Sequence, residues 1–282
     1  MKAMVVGARG QLGRALTALL GDRLVWSGGR SELDIADAAA VSATVEQWRP
    51  DIIFNAAAYN AVDAAEEDPT SAFAVNAFAP LYLARAARDI EALMVHVSTD
   101  YVFDGGAGRA YSEVDIPAPR SVYGVSKLSG DNLVAGSGAD HLIVRTSGVF
   151  GLGGSRAKGG SFPERILARA RAGEALRVVD DQVLSPTYAP DLAATIAALV
   201  ERGARGLVHV TNSGETSWHG FAVATLELGG VQADVARIST KDLGAAAARP
   251  AYSVLRTERL VEQGVAPPRS WRAALSEMLE GA

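Results

Sequence analysis

The chain opens with a short apolar strand, predicted at Ala3–Val6, that runs straight into a glycine-rich turn and an amphipathic helix. The turn reads Gly7-Ala-Arg-Gly10-Gln-Leu-Gly13, and the apolar residues after it recur at helical spacing. Glycines in such a turn allow positive φ and a close approach of the backbone to a pyrophosphate, while the helix N-terminus offers free N–H donors. The spacing is GxxGxxG rather than GxGxxG, so a purely structural turn stays an alternative. The unit predicts a dinucleotide site whose contacts are Gly7, Gly10, Gln11, Leu12 and Gly13.

Apolar β-prone runs alternate with amphipathic helical runs through the first half of the chain. This alternation is typical of an α/β fold with a doubly wound parallel sheet of the Rossmann type. We expect a dinucleotide-binding domain over residues 1–150, to which segments at about 180–215 return. Residues 151–282 are expected to form mainly a smaller C-terminal α/β lobe that binds substrate. The predicted strands of the first domain are Ala3–Val6, Leu24–Trp26, Asp51–Phe54, Leu93–Val97 and His141–Val144.

The later elements follow the same reading of local periodicity. They are a helix at about Ser161–Arg171, a strand near Leu176–Val179, a helix at Ala189–Glu201, a strand near Leu207–Val210, a helix beginning near Trp218 and a last helix at about Ser270–Leu279.

Composition excludes several classes of protein. A formal net charge of -5 disfavours the positive field that nucleic-acid binding requires. The longest stretch without Asp, Glu, Lys or Arg, Pro69 to Ala84, falls short of the ~20 mainly apolar residues that cross a bilayer. With no cysteine, the chain has no disulfide framework or thiolate metal site, which is compatible with a reducing cytosol. We therefore expect a cytoplasmic protein with no membrane or nucleic-acid partner.

A phenol and an ammonium four residues apart, Tyr123 and Lys127, would share one face of a helix. A nearby cation favours the phenolate, so we expect Lys127 to lower the pKa of Tyr123 toward the range where proton transfer is efficient. Such a tyrosine can protonate a carbonyl oxygen as hydride reaches the carbon. The same pair is common on exposed helices without any function, and its meaning here depends on the glycine turn upstream.

The end of the second strand indicates which dinucleotide is bound. Arg30 and Ser31 stand where a cation accommodates the 2′-phosphate of NADP, and they favour NADPH. Asp34 lies in the interval where an acidic residue binds the ribose 2′-hydroxyl of NAD, so NADH stays possible. An Arg30 that is only a solvated loop charge is an equal alternative.

The glycine turn together with Tyr123-x-x-x-Lys127 resembles the extended short-chain dehydrogenase/reductases. Further segments make the chain similar, over nearly its whole length, to one branch of that family, the dTDP-4-dehydrorhamnose reductases. These segments are Asn55-Ala-Ala-Ala-Tyr-Asn-Ala-Val-Asp63, His96-Val-Ser-Thr-Asp-Tyr-Val-Phe-Asp104, Arg145-Thr-Ser147, Asp180-Asp-Gln-Val-Leu-Ser-Pro-Thr187, Trp218-His219 and Ala248-Arg-Pro250.

The resemblance implies roles for residues at matching positions. Tyr123 corresponds to the catalytic acid, Lys127 to its partner that also holds the nicotinamide ribose, and Thr99 to the hydroxyl that hydrogen-bonds the reacting oxygen. Asp100 corresponds to a substrate contact. On the cofactor side the matching residues are Asp34, Ile35, Ala58, Tyr59, Asn60 and Val97.

The chain departs from the family pattern at three places. Gly148 stands where tryptophan is usual beside the sugar, so the pocket is expected to be wider, or filled by a residue such as Phe162 or Tyr101. Val183-Leu184 stand where glycine-containing residues are usual. Ala15 replaces a glutamate that some members use in a metal-bridged dimer, so no metal is expected.

The remaining charged residues and the histidines are assigned to substrate binding or to structural roles. Arg249, Arg156 and Lys158 are candidate contacts of the substrate's diphosphate, and Gly148 and Arg249 complete the expected substrate site with Thr99 and Asp100. His96, His209 and His219 lack the spacing of metal ligands. The pairs Glu66-Glu67 and Asp180-Asp181 are interpreted as solvated or capping charges.

Together these features imply an enzyme that uses NADPH to reduce the C4 keto group of dTDP-4-dehydro-L-rhamnose to dTDP-L-rhamnose. Its partner would be a dTDP-linked 4-keto-6-deoxysugar, and the chain would be a monomer or homodimer. Two alternatives stay open. One is a 4-ketoreductase for another nucleotide deoxysugar in the tailoring of a secondary metabolite, and the other is a non-catalytic nucleotide-binding regulatory subunit.

Overall fold

The computed structural model describes residues 1–153 and 159–281. Its centre is a six-stranded sheet in the order β10-β5-β4-β3-β1-β2, in which every neighbouring pair is parallel. The strands are β1 Ala3–Val6, β2 Leu24–Gly28, β3 Ile52–Asn55, β4 Leu93–Thr99, β5 His141–Thr146, β6 Val149–Phe150, β7 Leu176–Val179, β8 Val183–Leu184, β9 Thr187–Tyr188, β10 Gly206–His209, β11 Thr216–Ser217 and β12 Val235–Ile238.

Helices cover both faces of this sheet and build the C-terminal part of the chain. The helices are α1 Gln11–Leu20, α2 Ala38–Trp48, α3 Val62–Glu67, α4 Pro69–Phe73, α5 Ala79–Asp89, α6 Val122–Ala135, α7 Phe162–Arg171, α8 Ala189–Glu201, α9 Trp218–Leu228, α10 Thr240–Leu243, α11 Glu258–Glu262 and α12 Trp271–Glu280. A π-helical turn, Ala74–Phe78, joins α4 to α5. In the described part of the chain no helix is long and apolar enough to cross a membrane.

Two apolar layers hold the sheet between its helices. On one face, Leu12 and Leu16 of α1 pack with Leu192 and Ile196 of α8 and with alternate residues of the strands. On the other face, α2 and α5 pack against the opposite set of strand residues. Because the strands are covered on both faces, they read as continuous apolar runs, as parallel strands usually do.

The C-terminal lobe is built around short strand pairs and aromatic rings. Strand β7 pairs in parallel with β12, β6 pairs with β9, and β8 pairs with β11. Phe221 of α9 lies in ring contact with Phe150, Phe162, Trp218 and Trp271. This cluster joins β6 and the lobe helices α7, α9 and α12.

The predicted fold class is confirmed, since the central sheet is parallel and doubly wound and a smaller α/β lobe follows. The predicted strands and helices all form, with ends that differ by at most two residues. Strand β10 pairs with β5 at the sheet edge, and α8 packs against α1. The two-residue strands of the lobe were not predicted, because runs that short carry no periodicity.

Candidate active site

The glycine turn after β1 is too crowded for any side chain at two of its positions. Gly7 has φ +81°, and a Cβ there would lie 2.5 Å from the backbone nitrogen of Ala57. A Cβ at Gly13 would lie 2.1 Å from the carbonyl oxygen of Gly7. Gly10 precedes the first residue of α1, so the turn delivers the helix N-terminus to the carboxyl edge of the sheet. A flat backbone surface beside a helix N-terminus is what a pyrophosphate requires.

A cavity of about 460 Å³ lies beside this turn at the carboxyl ends of β1, β2 and β3. Apolar residues such as Leu33, Ile35 and Val75 form part of its wall. The predicted cofactor contacts that line it are Gly7, Arg30, Asp34, Ile35, Ala58 and Tyr59. The structure therefore brings together residues from three separate loops that the sequence assigned to one ligand.

The loop after β3 is held in place by a buried amide. Asn76, in the π-helical turn, accepts a hydrogen bond from the Tyr59 backbone N–H at 2.8 Å and donates to the Tyr59 carbonyl at 3.0 Å. It also donates to the Ser126 hydroxyl at 3.0 Å, which links the loop to α6. A π-helical turn of this kind is frequent at functional sites. It fixes the cavity wall at Tyr59 relative to the helix that carries Tyr123.

Charged groups at the end of β2 set the electrostatics of the cavity. Arg30 is exposed at its wall. Glu32 accepts hydrogen bonds from the Gly29 backbone and the Ser31 hydroxyl and pairs with Arg9, and the first of these contacts lowers its pKa most. Asp34 accepts from the Ala36 N–H in a local turn and is exposed at the same wall. Arg30 is thus the cation, and Asp34 a carboxylate, that face this end of the cavity.

Other predicted cofactor contacts do not line this cavity. The side chain of Leu12 is only 7% exposed and belongs to the core, so only its backbone faces the turn. Gln11 donates to the Val149 carbonyl at 3.3 Å, while its side-chain oxygen is buried without a hydrogen-bond partner among the described residues. Gly10, Gly13 and Asn60 also lie outside the cavity wall. Of the predicted contacts in the turn, Gly7 is therefore the one that lines this cavity.

Helix α6 begins beside the carboxyl end of β4, and its first turn carries Tyr123. The Ser121 hydroxyl caps the helix by accepting from the Gly124 N–H, and Glu66 accepts from the Val122 N–H at 2.8 Å. The interpretation of Glu66 as a capping charge is confirmed. The Tyr123 phenol lies close to the side chain of Thr99, the last residue of β4. The predicted acid and the predicted hydroxyl residue therefore meet.

The pKa of Tyr123 moves opposite to the sequence-based expectation. Burial raises it to about 12, with Asp100 and Asp131 adding to the rise and Thr99 opposing it. The ammonium of Lys127 is directed elsewhere, donating to the Val97 carbonyl at 2.6 Å. The expectation that Lys127 lowers the pKa is therefore wrong for this structure. A phenol that stays protonated at neutral pH is suited to donating a proton.

Lys127 is a buried cation with a shifted pKa. Its side chain lies one turn after Tyr123 on α6 and is 2% exposed. Burial lowers its pKa to about 8, while the carboxylate of Asp131 opposes that fall. The contact with Val97 places the ammonium at the end of β4, beside the predicted nicotinamide position.

A buried charged cluster beneath Lys127 was missed by the sequence reasoning. Asp131 is 3% exposed and accepts from Arg145 Nε at 3.1 Å, and its other oxygen lies 3.7 Å from His96 Nε2. His96 Nδ1 faces the Asn55 amide at 3.2 Å, and burial keeps the pKa of His96 well below its usual value. The repeat Tyr123-x-x-x-Lys127-x-x-x-Asp131 was the signal, because it puts the carboxylate on the same helix face.

The Asp100 carboxylate accepts hydrogen bonds from three neighbouring hydroxyl groups. Its Oδ2 accepts from the Ser147 hydroxyl at 2.8 Å and the Ser253 hydroxyl at 2.5 Å, and its Oδ1 accepts from Thr99 at 3.0 Å. Burial raises the pKa of this carboxyl and the three hydrogen bonds oppose the rise. Thr99 Oγ1 also accepts a hydrogen bond from the Tyr101 backbone N–H at 3.3 Å, so both its donor and its acceptor are used locally.

The place beside Gly148 is taken by Leu184, not by an aromatic ring. Gly148 has φ +51°, and a Cβ on it would lie 2.5 Å from Leu184 Cδ1. Phe162 instead stacks on Phe221 in the lobe, 5.5 Å between ring centroids. A cavity of about 20 Å³ remains here, and Tyr101 lines it. Of the two residues named as able to fill this place, Tyr101 therefore lies beside Gly148 together with Leu184, and Phe162 does not.

Arg249 reaches the site from the lobe but is paired with a carboxylate. It donates to both oxygens of Asp63, at 2.7 and 3.1 Å, and lies beside the phenol of Tyr101. Arg249 thus lies near the aromatic ring of Tyr101. The other expected diphosphate contacts, Arg156 and Lys158, lie outside the described residues.

Comparison with known proteins identifies the relatives of this arrangement. The family model of the RmlD substrate binding domain matches residues 1–282. A dTDP-4-dehydrorhamnose reductase of Streptomyces griseus is 41% identical over 285 residues, which covers 97% of this chain and 91% of that protein. The chain belongs to the dTDP-4-dehydrorhamnose reductase family. The resemblance predicted from the sequence motifs is confirmed.

Other members of the dTDP-4-dehydrorhamnose reductase family show how far the similarity extends. The crystal structure of a dTDP-4-dehydrorhamnose reductase from Bacillus anthracis, in complex with NADP, superimposes with a TM-score of 0.95 at 34% identity and covers 100% of both chains. A probable dTDP-4,6-dihydroxy-2-methyloxan-3-one 4-ketoreductase of Streptomyces antibioticus is 39% identical, over 98% of this chain and 94% of that protein. The family thus includes relatives named for more than one sugar.

Proposed function

We propose that this protein is an enzyme that reduces the C4 keto group of dTDP-4-dehydro-L-rhamnose to give dTDP-L-rhamnose, with NADPH as the reductant. The observation that carries the proposal is the position of Tyr123 beside Thr99 at the carboxyl edge of the sheet, with the Lys127 ammonium bound at Val97 of the same strand. Membership of the family supports the same reaction. The carboxyl edge of an open α/β sheet is where such folds bind ligands.

The residues present fit a nicotinamide dinucleotide. The turn at Gly7 and Gly13 leaves no room for a Cβ, and the cavity of about 460 Å³ continues from it past Arg30. Backbone N–H groups at the start of α1 would hold the pyrophosphate, and Arg30 would pair with a 2′-phosphate. NADPH supplies the hydride when bound. We assign the turn residues, the loop Ala58–Asn60 and Val97 to this ligand.

The proton comes from the protein's own side chains. Tyr123 is protonated at neutral pH, since burial raises its pKa to about 12, and it donates to the sugar O4 as negative charge develops there. Lys127 stays near the reacting atoms as a buried cation fixed to the Val97 carbonyl. As an ammonium it would donate to the hydroxyl groups of the nicotinamide ribose, the role that the resemblance implies for it.

The sugar would be bounded by Thr99, Asp100 and Gly148. Thr99 hydrogen-bonds Asp100 and lies beside the Tyr123 phenol, so it would help to position the phenol against the keto oxygen. Asp100 and Gly148 line the small cavity next to these groups. The placement gives the substrate a polar end at the reacting carbon and an apolar wall at Leu184.

A second candidate is reduction of a different dTDP-linked 4-keto sugar. Two observations favour it: the apolar wall that Leu184 builds against Gly148, and the Streptomyces antibioticus relative named as a 4-ketoreductase. A panel of dTDP-4-keto-6-deoxysugars decides between the two. A kcat/KM at least tenfold higher for dTDP-4-dehydro-L-rhamnose than for the others supports the first proposal, and the reverse order supports the second.

The catalytic test removes one hydroxyl group. We expect purified protein to oxidise NADPH when dTDP-4-dehydro-L-rhamnose is added, and Tyr123→Phe to lower kcat by roughly 10²–10⁴-fold, the usual contribution of a positioned acid. NADPH binding, measured by fluorescence titration, should change less than about twofold because the ring remains. Tyr82→Phe on α5 is the control that should retain full activity. A folded wild-type protein that leaves NADPH unoxidised contradicts the proposal, as does an active Tyr123→Phe variant.

A further inference from the structure

Two sequence segments that have no part in the proton transfer meet in space. Asp63 lies in the first turn of α3, and Arg249 lies in the C-terminal lobe, 186 residues later. Arg249 Nη2 donates to Asp63 Oδ2 at 2.7 Å, and Nη1 donates to Oδ1 at 3.1 Å. The Ala247 backbone N–H donates to the same Oδ1 at 3.1 Å. The lobe is thus hydrogen-bonded to α3 through the Arg249 side chain and through the Ala247 backbone N–H.

The geometry of this pair fixes the plane of the guanidinium. A bidentate contact holds both terminal nitrogens of Arg249 in a fork. Nη1 also donates to the Ala247 carbonyl at 3.1 Å, so the donors of Arg249 are already shared among protein acceptors. The Arg249 side chain is 14% exposed, whereas that of Asp63 is 48% exposed. A half-exposed carboxylate adds little to the free energy of unfolding, so the main effect of the pair is to orient Arg249.

The orientation of Arg249 affects the position of two aromatic rings, Tyr101 and Tyr123. Its guanidinium lies beside the phenol of Tyr101, close enough to influence the pKa of that group. The Tyr101 ring in turn meets the Tyr123 ring edge to face, with 5.7 Å between centroids and an angle of 81°. Tyr101 also lines the small cavity beside Gly148. An unbroken series of contacts therefore leads from Asp63 to the proposed proton donor.

We infer that Asp63 and Arg249 are positioning residues, which hold the Tyr101 ring against Tyr123, and that Arg249 does not serve as a ligand of the substrate's diphosphate. The inference rests on the proposed function. It replaces the sequence-based assignment of Arg249 with one that accounts for both of its partners. Rotation of Tyr101 would move the edge contact that sets the ring of Tyr123, and sub-ångström displacement of a reacting group costs rate more than affinity.

The kinetic test is a double-mutant cycle. We expect Asp63→Asn and Tyr101→Phe each to lower kcat about tenfold, with the KM for the nucleotide sugar changed less than about twofold. The double variant should be no slower than about tenfold, because both changes break the same series of contacts. Multiplied effects, about a hundredfold, would overturn the inference. So would a change confined to KM.

A binding measurement separates positioning from diphosphate recognition without turnover. Calorimetric titration with dTDP should give a Kd for Arg249→Gln within about twofold of the wild-type value. A loss of tenfold or more, the size expected for a charge-assisted contact, would make Arg249 a diphosphate ligand and overturn the inference. Since this measurement uses no keto sugar, it gives its answer even if the protein fails to reduce dTDP-4-dehydro-L-rhamnose.

The control is a similar ion pair elsewhere. Arg269 donates to both oxygens of Asp191, at 2.9 and 3.0 Å, and bridges segments far apart in the chain. Asp191→Asn should leave kcat within about twofold, although it loses the same kind of contact. A crystal structure of Asp63→Asn completes the test: a displaced Tyr101 ring supports the inference, and a ring in its original place against Tyr123 overturns it.

Discussion

Burial shifts the pKa values of Tyr123 and Lys127, both on α6, in opposite directions. It raises the pKa of Tyr123 to about 12, which keeps the phenol protonated over the whole assay range. It lowers the pKa of Lys127 to about 8, which brings loss of the ammonium charge into that range. Both shifts have the same cause, since a poorly solvated site disfavours the charged form of either group. The phenol of Tyr123 therefore stays protonated throughout the assay range, whereas the charge of Lys127 changes with pH.

The charge state of Lys127 predicts a pH dependence that Asp131 controls. The ammonium is present below its pKa, so we expect kcat/KM to fall as pH rises through about 8. Asp131 opposes the lowering of that pKa, and Asp131→Asn removes this support while its amide oxygen still accepts from Arg145. The descending limb of the pH profile should therefore move to lower pH in this variant. The measurement is kcat/KM from acid to alkaline pH at saturating NADPH.

Asp140→Asn is the matched control for Asp131→Asn. Asp140 is a surface carboxylate paired with Arg205, and its side chain is 53% exposed. Solvent screens such a charge, so its removal should leave the pH profile in place. If Asp131→Asn also leaves the limb unmoved, Lys127 is not the group that titrates.

Arg30 is expected to discriminate between the two nicotinamide cofactors. It is exposed at the cavity wall, where a 2′-phosphate would meet it. A charge-assisted hydrogen bond contributes about 1.5–3 kcal/mol, so Arg30→Ala should raise the Kd of NADPH by roughly 10–100-fold. NADH has no such phosphate, and its Kd should stay within about twofold. Fluorescence titration with both cofactors checks this, with Arg88→Ala, a surface cation on α5, as the control. Equal weakening of both cofactors would contradict the assignment.

At the scale of elements, the sequence predicted what depends on near neighbours. The strand Ala3–Val6, the turn to Gly13 and the pair on α6 are local patterns of spacing, and all form as expected. The contacts missed by the sequence reasoning join distant segments, such as Leu184 against Gly148 and Asp63 with Arg249. No periodicity encodes those meetings, because they depend on how the lobe returns to the sheet. The direction of a hydroxyl proton, such as that of Thr99, is likewise set only by the finished packing.

The turn between β5 and β6 depends on a glycine for two separate reasons. At Gly148, φ is +51°, and an added Cβ would meet Leu184 at 2.5 Å. Left-handed backbone costs a residue with a side chain about 1–2 kcal/mol, and overpacking costs roughly 1–3 kcal/mol more. We therefore expect Gly148→Ala to lower the free energy of unfolding by about 2–5 kcal/mol, measured by urea denaturation.

A cycle with Leu184→Ala separates the two costs at Gly148. The double variant should be about 1 kcal/mol more stable than the sum of the single changes predicts, because the smaller side chain removes the clash but not the backbone cost. Gly203→Ala is the control: Gly203 has φ +73°, and a Cβ there would meet nothing within 4 Å. It should show the backbone cost alone. Strict additivity at Gly148 and Leu184 would contradict the steric account.

At the scale of the whole molecule, the chain crosses between its two parts more than once. Strand β10 completes the sheet beside β5, and α8 covers the face that α1 also covers. The lobe in turn contacts the sheet domain through β6, which pairs with β9. We propose that residues 1–150 together with α8 and β10 form the dinucleotide-binding domain, so the domain is discontinuous in sequence. Its stability then depends on residues that lie after the first part of the lobe.

This discontinuity predicts that residues 1–150 do not fold alone. Leu192, Ile196 and Leu199 of α8 are fully buried in the same core as Leu16 of α1. Losing each such contact exposes apolar surface that contributes about 1.5–3 kcal/mol per side chain, and a few of these approach the whole 5–15 kcal/mol of a typical domain. The fragment should therefore show no cooperative thermal transition by circular dichroism and should bind NADPH at least tenfold more weakly than the full chain. In the full chain, Ile196→Ala should cost about 2–5 kcal/mol in the single transition that also abolishes NADPH binding. A fragment that unfolds cooperatively and binds NADPH with full affinity would place the domain boundary at residue 150 after all.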